Sequence, residues 1–161
     1  MYHIYTDGAC SGNKRDAGCI GGFGYVLIDT HARKIIKTDG GAVINTTNNR
    51  MELMGAIAGM QELIKIKKDA SEEKCAVILD SSYVVDNWND YIDTWIENKW
   101  RKANKQPVIN SDLWKILYKV VMKFKAVKFK WIKGHDKQKF NELADEIARK
   151  YIKELKRKNK C

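Results

Sequence analysis

The chain has 161 residues, 44% of them hydrophobic and 31% charged, which suits one globular domain with an ordinary core and excludes a disordered chain. Lys and Arg number 30 against 20 Asp and Glu, a net charge of +10, so polyanions are the expected partners, either nucleic acid or an anionic membrane surface. No apolar stretch approaches the ~20 residues of a membrane span, and Met1-Tyr2-His3-Ile4-Tyr5 lacks the basic-then-apolar order of a signal peptide, so a cytoplasmic location is expected.

Residues 2–7 alternate as a strand, with His3, Tyr5 and Asp7 on one side and Tyr2, Ile4 and Thr6 on the other. A Gly-rich connector is expected from Gly8 to Gly22. Residues 24–28 and 34–37 then read as strands around a turn at Asp29-Thr30-His31-Ala32-Arg33, completing an antiparallel meander. The connector superficially resembles a phosphate-binding glycine loop, but a strand pattern follows it rather than a helix, which excludes a nucleotide site there. Leu53, Ile57, Met60 and Ile64 recur at helical spacing and predict an amphipathic helix over about 50–67. After a polar link, Cys75 to Leu79 is a short apolar run that reads as a buried strand.

Residues 81–103 are aromatic-rich and read as short helices followed by a basic loop. Ser111 suits the cap of a helix carrying Leu113, Leu117, Val120 and Phe124. Val127, Phe129 and Trp131 alternate with Lys128 and Lys130 in a last strand whose lysine face suits a sheet edge. Ala144, Ile147, Tyr151 and Leu155 mark a final helix, and the basic tail, residues 156–161, is expected to fray. The element order predicts an α/β fold, a mixed sheet with helices on its faces, in a single domain over residues 1–155. Trp88, Trp114 and Trp131 are expected in the core. Cys10, Cys19, Cys75 and Cys161 show no zinc spacing and read as free thiols.

Four carboxylates stand out against the positive excess. Asp80 follows four apolar residues at the carboxyl end of a strand, where open α/β sheets bind ligands, although it could equally cap the next helix. Asp7 ends the first strand, where Asp7-Gly8 also fits a turn. Glu52 shares a small, inward helical face with Ala56, Gly59 and Leu63, while Asn49-x-x-Glu52 also fits a capping box. Asp145 is placed to pair with Arg149 on a helix surface. His135 lies in a loop, Lys133-Gly134-His135-Asp136-Lys137, where most histidines are merely solvated, although His is the default proton carrier near neutral pH. Gathered at one point in a basic protein, four acids would hold cations where a polyanion arrives.

In order and spacing, these residues resemble type 1 ribonuclease H over roughly residues 2 to 155. The blocks that carry the resemblance are Thr6 to Asn13, Thr46 to Met54, Asp80-Ser81-Ser82-Tyr83-Val84, Lys105 to Trp114, and Trp131 to His135 with Asn141 to Arg149. The resemblance implies a five-stranded sheet of three antiparallel and two parallel strands. It also implies an endonuclease that cuts the RNA strand of an RNA–DNA hybrid, leaving 3′-hydroxyl and 5′-phosphate ends. Asp7, Glu52, Asp80 and Asp145 would hold two Mg²⁺ ions, with Mn²⁺ able to substitute: Asp7 bridging, Glu52 and Asp80 on one ion, Asp145 on the other, and His135 assisting proton movement or product release. Hard oxygen donors suit both metals, and two ions can serve the attacking water and the leaving oxygen together.

The resemblance further implies that Asn13, Asn48, Asn49 and the backbone near Cys10 contact the 2′-hydroxyl or nearby groove edges, the feature that marks an RNA strand. Thr47 and Asn110 would hold a phosphate of the DNA strand, Asn141 would also touch substrate, and Trp95, Trp100, Arg101 and Lys102 match a basic protrusion. Ile96, Glu97 and Asn98 depart from that pattern, making the protrusion less basic than in many members. No obligate protein partner and no membrane are expected, and the chain should act as a monomer. Two other readings share some of these features. A resolvase or integrase-like nuclease on the same fold would keep the acids but gives no reason for the Thr46–Met54 block, and a non-catalytic hybrid-binding module would not need the acids intact.

Overall fold

The computed structural model describes residues 1–12, 19–134 and 138–159. Three strands come first: β1 (Tyr2–Ser11), β2 (Cys19–Asp29) and β3 (Lys34–Thr46). There follow α1 (Asn48–Lys67), β4 (Lys74–Leu79), α2 (Ser82–Glu97), α3 (Ser111–Val121), β5 (Ala126–Trp131) and α4 (Lys139–Asn159). They form one five-stranded sheet of order β3-β2-β1-β4-β5. β1–β2 and β2–β3 are antiparallel, whereas β1–β4 and β4–β5 are parallel. Asp29 fixes the β2–β3 turn by accepting from the backbone N–H groups of His31 (3.0 Å) and Ala32 (3.1 Å).

Alternation along β1 splits the core between the two faces of the sheet. Ile4 joins Leu27, Leu53, Met60, Val77 and Trp114 on the side of α1 and α3. Tyr5 joins Val26, Ile28, Ala76, Ile78 and Ala144 on the side of α4. Close approach of a helix to the sheet is what positions the site, and glycine permits it. A Cβ at Gly8 would stand 2.6 Å from the Glu52 backbone nitrogen, and one at Gly24 would stand 2.2 Å from the Ala144 carbonyl oxygen. Only hydrogen fits at either place, so α1 and α4 are both seated on backbone beside Asp7.

Several elements differ from the sequence reading. Most of the expected Gly8–Gly22 connector is strand: β1 continues to Ser11 and β2 begins at Cys19, paired as far as Ser11↔Ile20. That pairing brings the Cα atoms of Cys10 and Cys19 to 5.8 Å, and the two form a disulfide rather than free thiols. Cys75 is free and buried, its thiol pushed up to about 12 by burial, which makes it inert. Residues 82–97 form one helix instead of several, started by the Ser81 hydroxyl accepting from Val84 N. Phe124 falls beyond the end of α3 but is still buried. Within the basic tail α4 runs to Asn159, with Lys156, Arg157 and Lys158 at the negative end of its dipole, and residues 160 and 161 lie outside the described residues. Trp114 is fully buried and Trp88 packs on Phe129 as expected, but Trp131 is 52% exposed on the edge strand β5. Among the described residues no helix is long and apolar enough to cross a membrane.

Candidate active site

The parallel register sets two acids side by side. Tyr5 pairs with Ile78, so Asp7 and Asp80 each lie two residues further along neighbouring strands, at the carboxyl end of the sheet. Asp80 is not a helix cap, since Ser81 has that role, and Asp7 is inside β1 rather than in a turn. Glu52 comes from the second turn of α1, which Gly8 admits against β1. The cap of α1 is Thr47, whose hydroxyl accepts from Arg50 N at 3.2 Å, so the capping box through Asn49 does not form and Glu52 is released from it. One carboxylate oxygen each from Asp7, Glu52 and Asp80 lies within 4.8 Å of the other two.

Burial and mutual repulsion load this cluster. Asp7 and Glu52 are 6% and 8% exposed. Burial first, then the charges of Asp80 and Asp145, pushes the Asp7 carboxyl up to about 8. Burial, Asp7 and Asp80 together raise Glu52 well above the usual carboxylate range. The Gly8 N–H donates to Asp7 Oδ1 at 3.0 Å, but Glu52 Oε2 is buried with no hydrogen-bond partner. Three hard oxygen donors, one of them unsatisfied, in a site that disfavours the charges of Asp7 and Glu52, fit a divalent cation.

Asp145 stands apart from the trio. Ala144 lies over Gly24, the β2 partner of Asp7, so Asp145 is close enough to perturb Asp7. Its Oδ2, however, is held by Arg149 at 2.6 Å, the helix-surface pairing that its spacing allowed. Asn141, one turn earlier on the same face, is buried, with Oδ1 unsatisfied. His135 and Asn13 lie outside the described residues.

A second constellation gathers the expected phosphate residues. Arg50 donates to Asn110 Oδ1 at 3.1 Å and forms a two-pronged pair with Asp112 at 3.0 and 2.7 Å. Asn110 Nδ2 and Trp114 Nε1 both donate to the Tyr83 hydroxyl, at 3.1 and 3.2 Å. Thr47, Arg50 and Asn110 are thereby linked across two helix N-termini. Sequence reasoning missed Arg50, Tyr83 and Asp112. Arg50 was visible inside the Thr46–Met54 block, but its partner lies 62 positions away and no spacing rule finds it. Asn48 and Asn49 are exposed at the start of α1.

In the protrusion, Trp95 and Trp100 pack against the main core, while Arg101 and Lys102 are exposed. Trp95 meets Trp114 edge-on at 5.4 Å and stacks with Tyr91 at 6.0 Å. The two tryptophans therefore anchor a loop that presents cations, beside a cavity of about 350 Å³.

The family model for RNase H matches residues 1–153. The chain belongs to the RNase H family. It is 39% identical over 155 residues to a ribonuclease H of Pseudomonas fluorescens strain Pf0-1, covering 95% of this chain and 91% of that protein. A ribonuclease H of Caldanaerobacter subterraneus is 42% identical over 164 residues, covering 99% and 95%. Among solved structures, LC9-RNase H1, described as a type 1 RNase H with the type 2 active-site motif, matches with a TM-score of 0.79 at 27% identity over 94% of this chain and 72% of that one. LC11-RNase H1, solved in complex with RNA/DNA hybrid, shares the fold with a TM-score of 0.69 at 19% identity, covering 96% and 99%. With the family comes its enzyme class, endoribonucleases of RNA–DNA hybrids.

Proposed function

We propose that this chain, as a single-domain monomer over residues 1–155, hydrolyses the RNA strand of RNA–DNA hybrids with two divalent ions, leaving 3′-hydroxyl and 5′-phosphate ends. The observation that carries the reading is the clustering of buried Asp7 and Glu52 with partly buried Asp80, and an unsatisfied Glu52 oxygen among them. Asp7, Glu52 and Asp80 would hold one Mg²⁺, and Asp7 with Asp145 the other. When bound, the ions activate the attacking water and stabilise the leaving oxygen, and Mn²⁺ would substitute.

The protein's own residues supply position. β1 and β4 aim two carboxylates from the carboxyl end of the sheet and α1 brings the third, so the donors are held in place before substrate arrives. Asn13, Asn48, Asn49, Asn141 and the backbone at Cys10 would face the RNA strand, where amide groups can both donate to and accept from a 2′-hydroxyl. Thr47 and Asn110, tied together through Arg50, would take a DNA-strand phosphate, which positions the duplex without reading its sequence. Trp95, Trp100, Arg101 and Lys102 would extend that contact along the protrusion, and His135 would move a proton or release product.

A cleavage panel of hybrid, duplex RNA, duplex DNA and single-stranded RNA, with and without Mg²⁺, tests the proposal. Cleavage confined to hybrid plus Mg²⁺, and lost in Asp80→Asn, is expected. Unchanged cleavage by that variant would overturn the assigned site.

A further inference from the structure

The ends of β1 and α4 line a cavity of about 310 Å³, and of its lining only the Cys10 backbone has a place in the substrate contacts proposed above. Ala9, Cys10 and Ser11 form one wall, and Arg149, Lys153 and Lys156 line the other. The three cations recur at i, i+4 and i+7, so they form one stripe on α4, rising about 6 Å and then about 4.5 Å along the axis. Lys153 and Lys156 have no acidic partner within ion-pair distance among the described residues. Arg149 does have one, Asp145, but the pair is open to water, with side chains 68% and 34% exposed.

This cavity lies further along the same strand and helix as the acidic cluster. α4 passes from Ala144 over Gly24 to Ala148 over Gly22, and those glycines pair with Asp7 and Ala9 of β1. Going from Asp7 to Ser11 on the strand therefore means going from Asp145 to Lys156 on the helix. A nucleic-acid strand with a phosphate over the carboxylates would reach the cavity by following these two elements.

We propose that this cavity is a phosphate site for the strand being cut, and that Arg149 passes from Asp145 to that phosphate when the hybrid binds. The inference rests on the ribonuclease reading. Arg149 has a two-pronged guanidinium, which suits a carboxylate and a phosphate equally. While it holds Asp145, the ready-made oxygen cluster among the described residues consists of Asp7, Glu52 and Asp80. Once it turns to the phosphate, Asp145 is free to face Asp7.

Two measurements test this in the intact chain. In an Asp80→Asn background, hybrid affinity is measured against salt concentration for Lys153→Ala and Lys156→Ala. Each should weaken binding and flatten the logarithmic slope by about 0.7–0.9, the value of one lost phosphate contact. Separately, Mn²⁺ binding without nucleic acid is followed by calorimetry in the otherwise unaltered chain. Arg149→Ala should bind one more ion than the parent, or bind its last ion at least fivefold tighter, and Arg149→Lys should fall between. Unchanged slopes overturn the phosphate site, and an unchanged Mn²⁺ isotherm overturns the handover. If the parent cleaves no hybrid with Mg²⁺, it is the ribonuclease reading that fails, a result distinct from either of these.

Discussion

The acidic cluster should make the cation-free protein less stable as pH rises, and Asp7→Asn should relieve it. Asp7 has its carboxyl raised from 3.8 to about 8, so the folded state binds a proton more tightly than the unfolded chain does. Stability therefore falls as pH rises from about 4 to about 8 and levels off above that. At 1.36 kcal/mol per pH unit, the penalty reaches roughly 4 kcal/mol at pH 7, an upper bound because Glu52 and Asp80 share the charge. Asn has the same shape and no charge, so Asp7→Asn should stabilise the cation-free protein by about 2–4 kcal/mol at pH 7, or roughly 5–15 °C in Tm for a chain of this length. The assay is thermal denaturation in EDTA from pH 5 to pH 9, repeated in saturating Mg²⁺. The parent should gain about 3 kcal/mol from the metal at a hundredfold excess over Kd, whereas the variant should gain little. A parent whose cation-free Tm is flat between pH 5 and 8, or a variant no more stable than it, would refute the reasoning.

Three further perturbations have expected outcomes. Gly8→Ala drives a Cβ to within 2.6 Å of the Glu52 nitrogen and 2.7 Å of the Met51 carbonyl carbon, so it should cost about 1–3 kcal/mol in denaturant titration and lower kcat far more than it raises KM. Tyr83→Phe removes the acceptor of both Asn110 and the buried Trp114, so it should cost about 1–3 kcal/mol and raise the KM for hybrid more than it changes kcat. Reducing the Cys10–Cys19 link, which closes a separation of nine residues, should lower stability by about 2–3 kcal/mol, seen as a drop in Tm on adding a dithiol reductant.

Strong local patterns were readable before the structure. The apolar run ending at Asp80 and the inward face of Glu52, Ala56, Gly59 and Leu63 put two acids in their places, and the lysine alternation put β5 at an edge. Weak or distant physics was not readable. α2 holds Asn, Asp, Thr and β-branched residues of modest helix propensity, and packing against the sheet makes it one helix. The Cys10–Cys19 link depends on strands continuing through a glycine-rich stretch that propensity assigns to loop. Asn49 looked like a cap because its spacing to Glu52 was right, but the chain enters α1 two residues earlier at Thr47. Asp145 is the least legible of the acids: its surface pair with Arg149 was foreseeable, whereas its approach to Asp7 depends on a helix lying over bare glycine.

Among the described residues the sheet ends in two strands with an unpaired side, β3 and β5, and β3 is 13 residues long with Ile35 and Ile44 exposed. An open edge of that length is a template on which a second molecule could build a continuous sheet. Lys34 on β3, and Lys128 and Lys130 on β5, place like charges on both borders. Two copies approaching edge to edge would meet repulsion before their backbones could pair. The surplus of lysine thus has a use independent of nucleic acid, and concentrated protein should resist fibrillation at low salt and lose that protection as salt screens the borders.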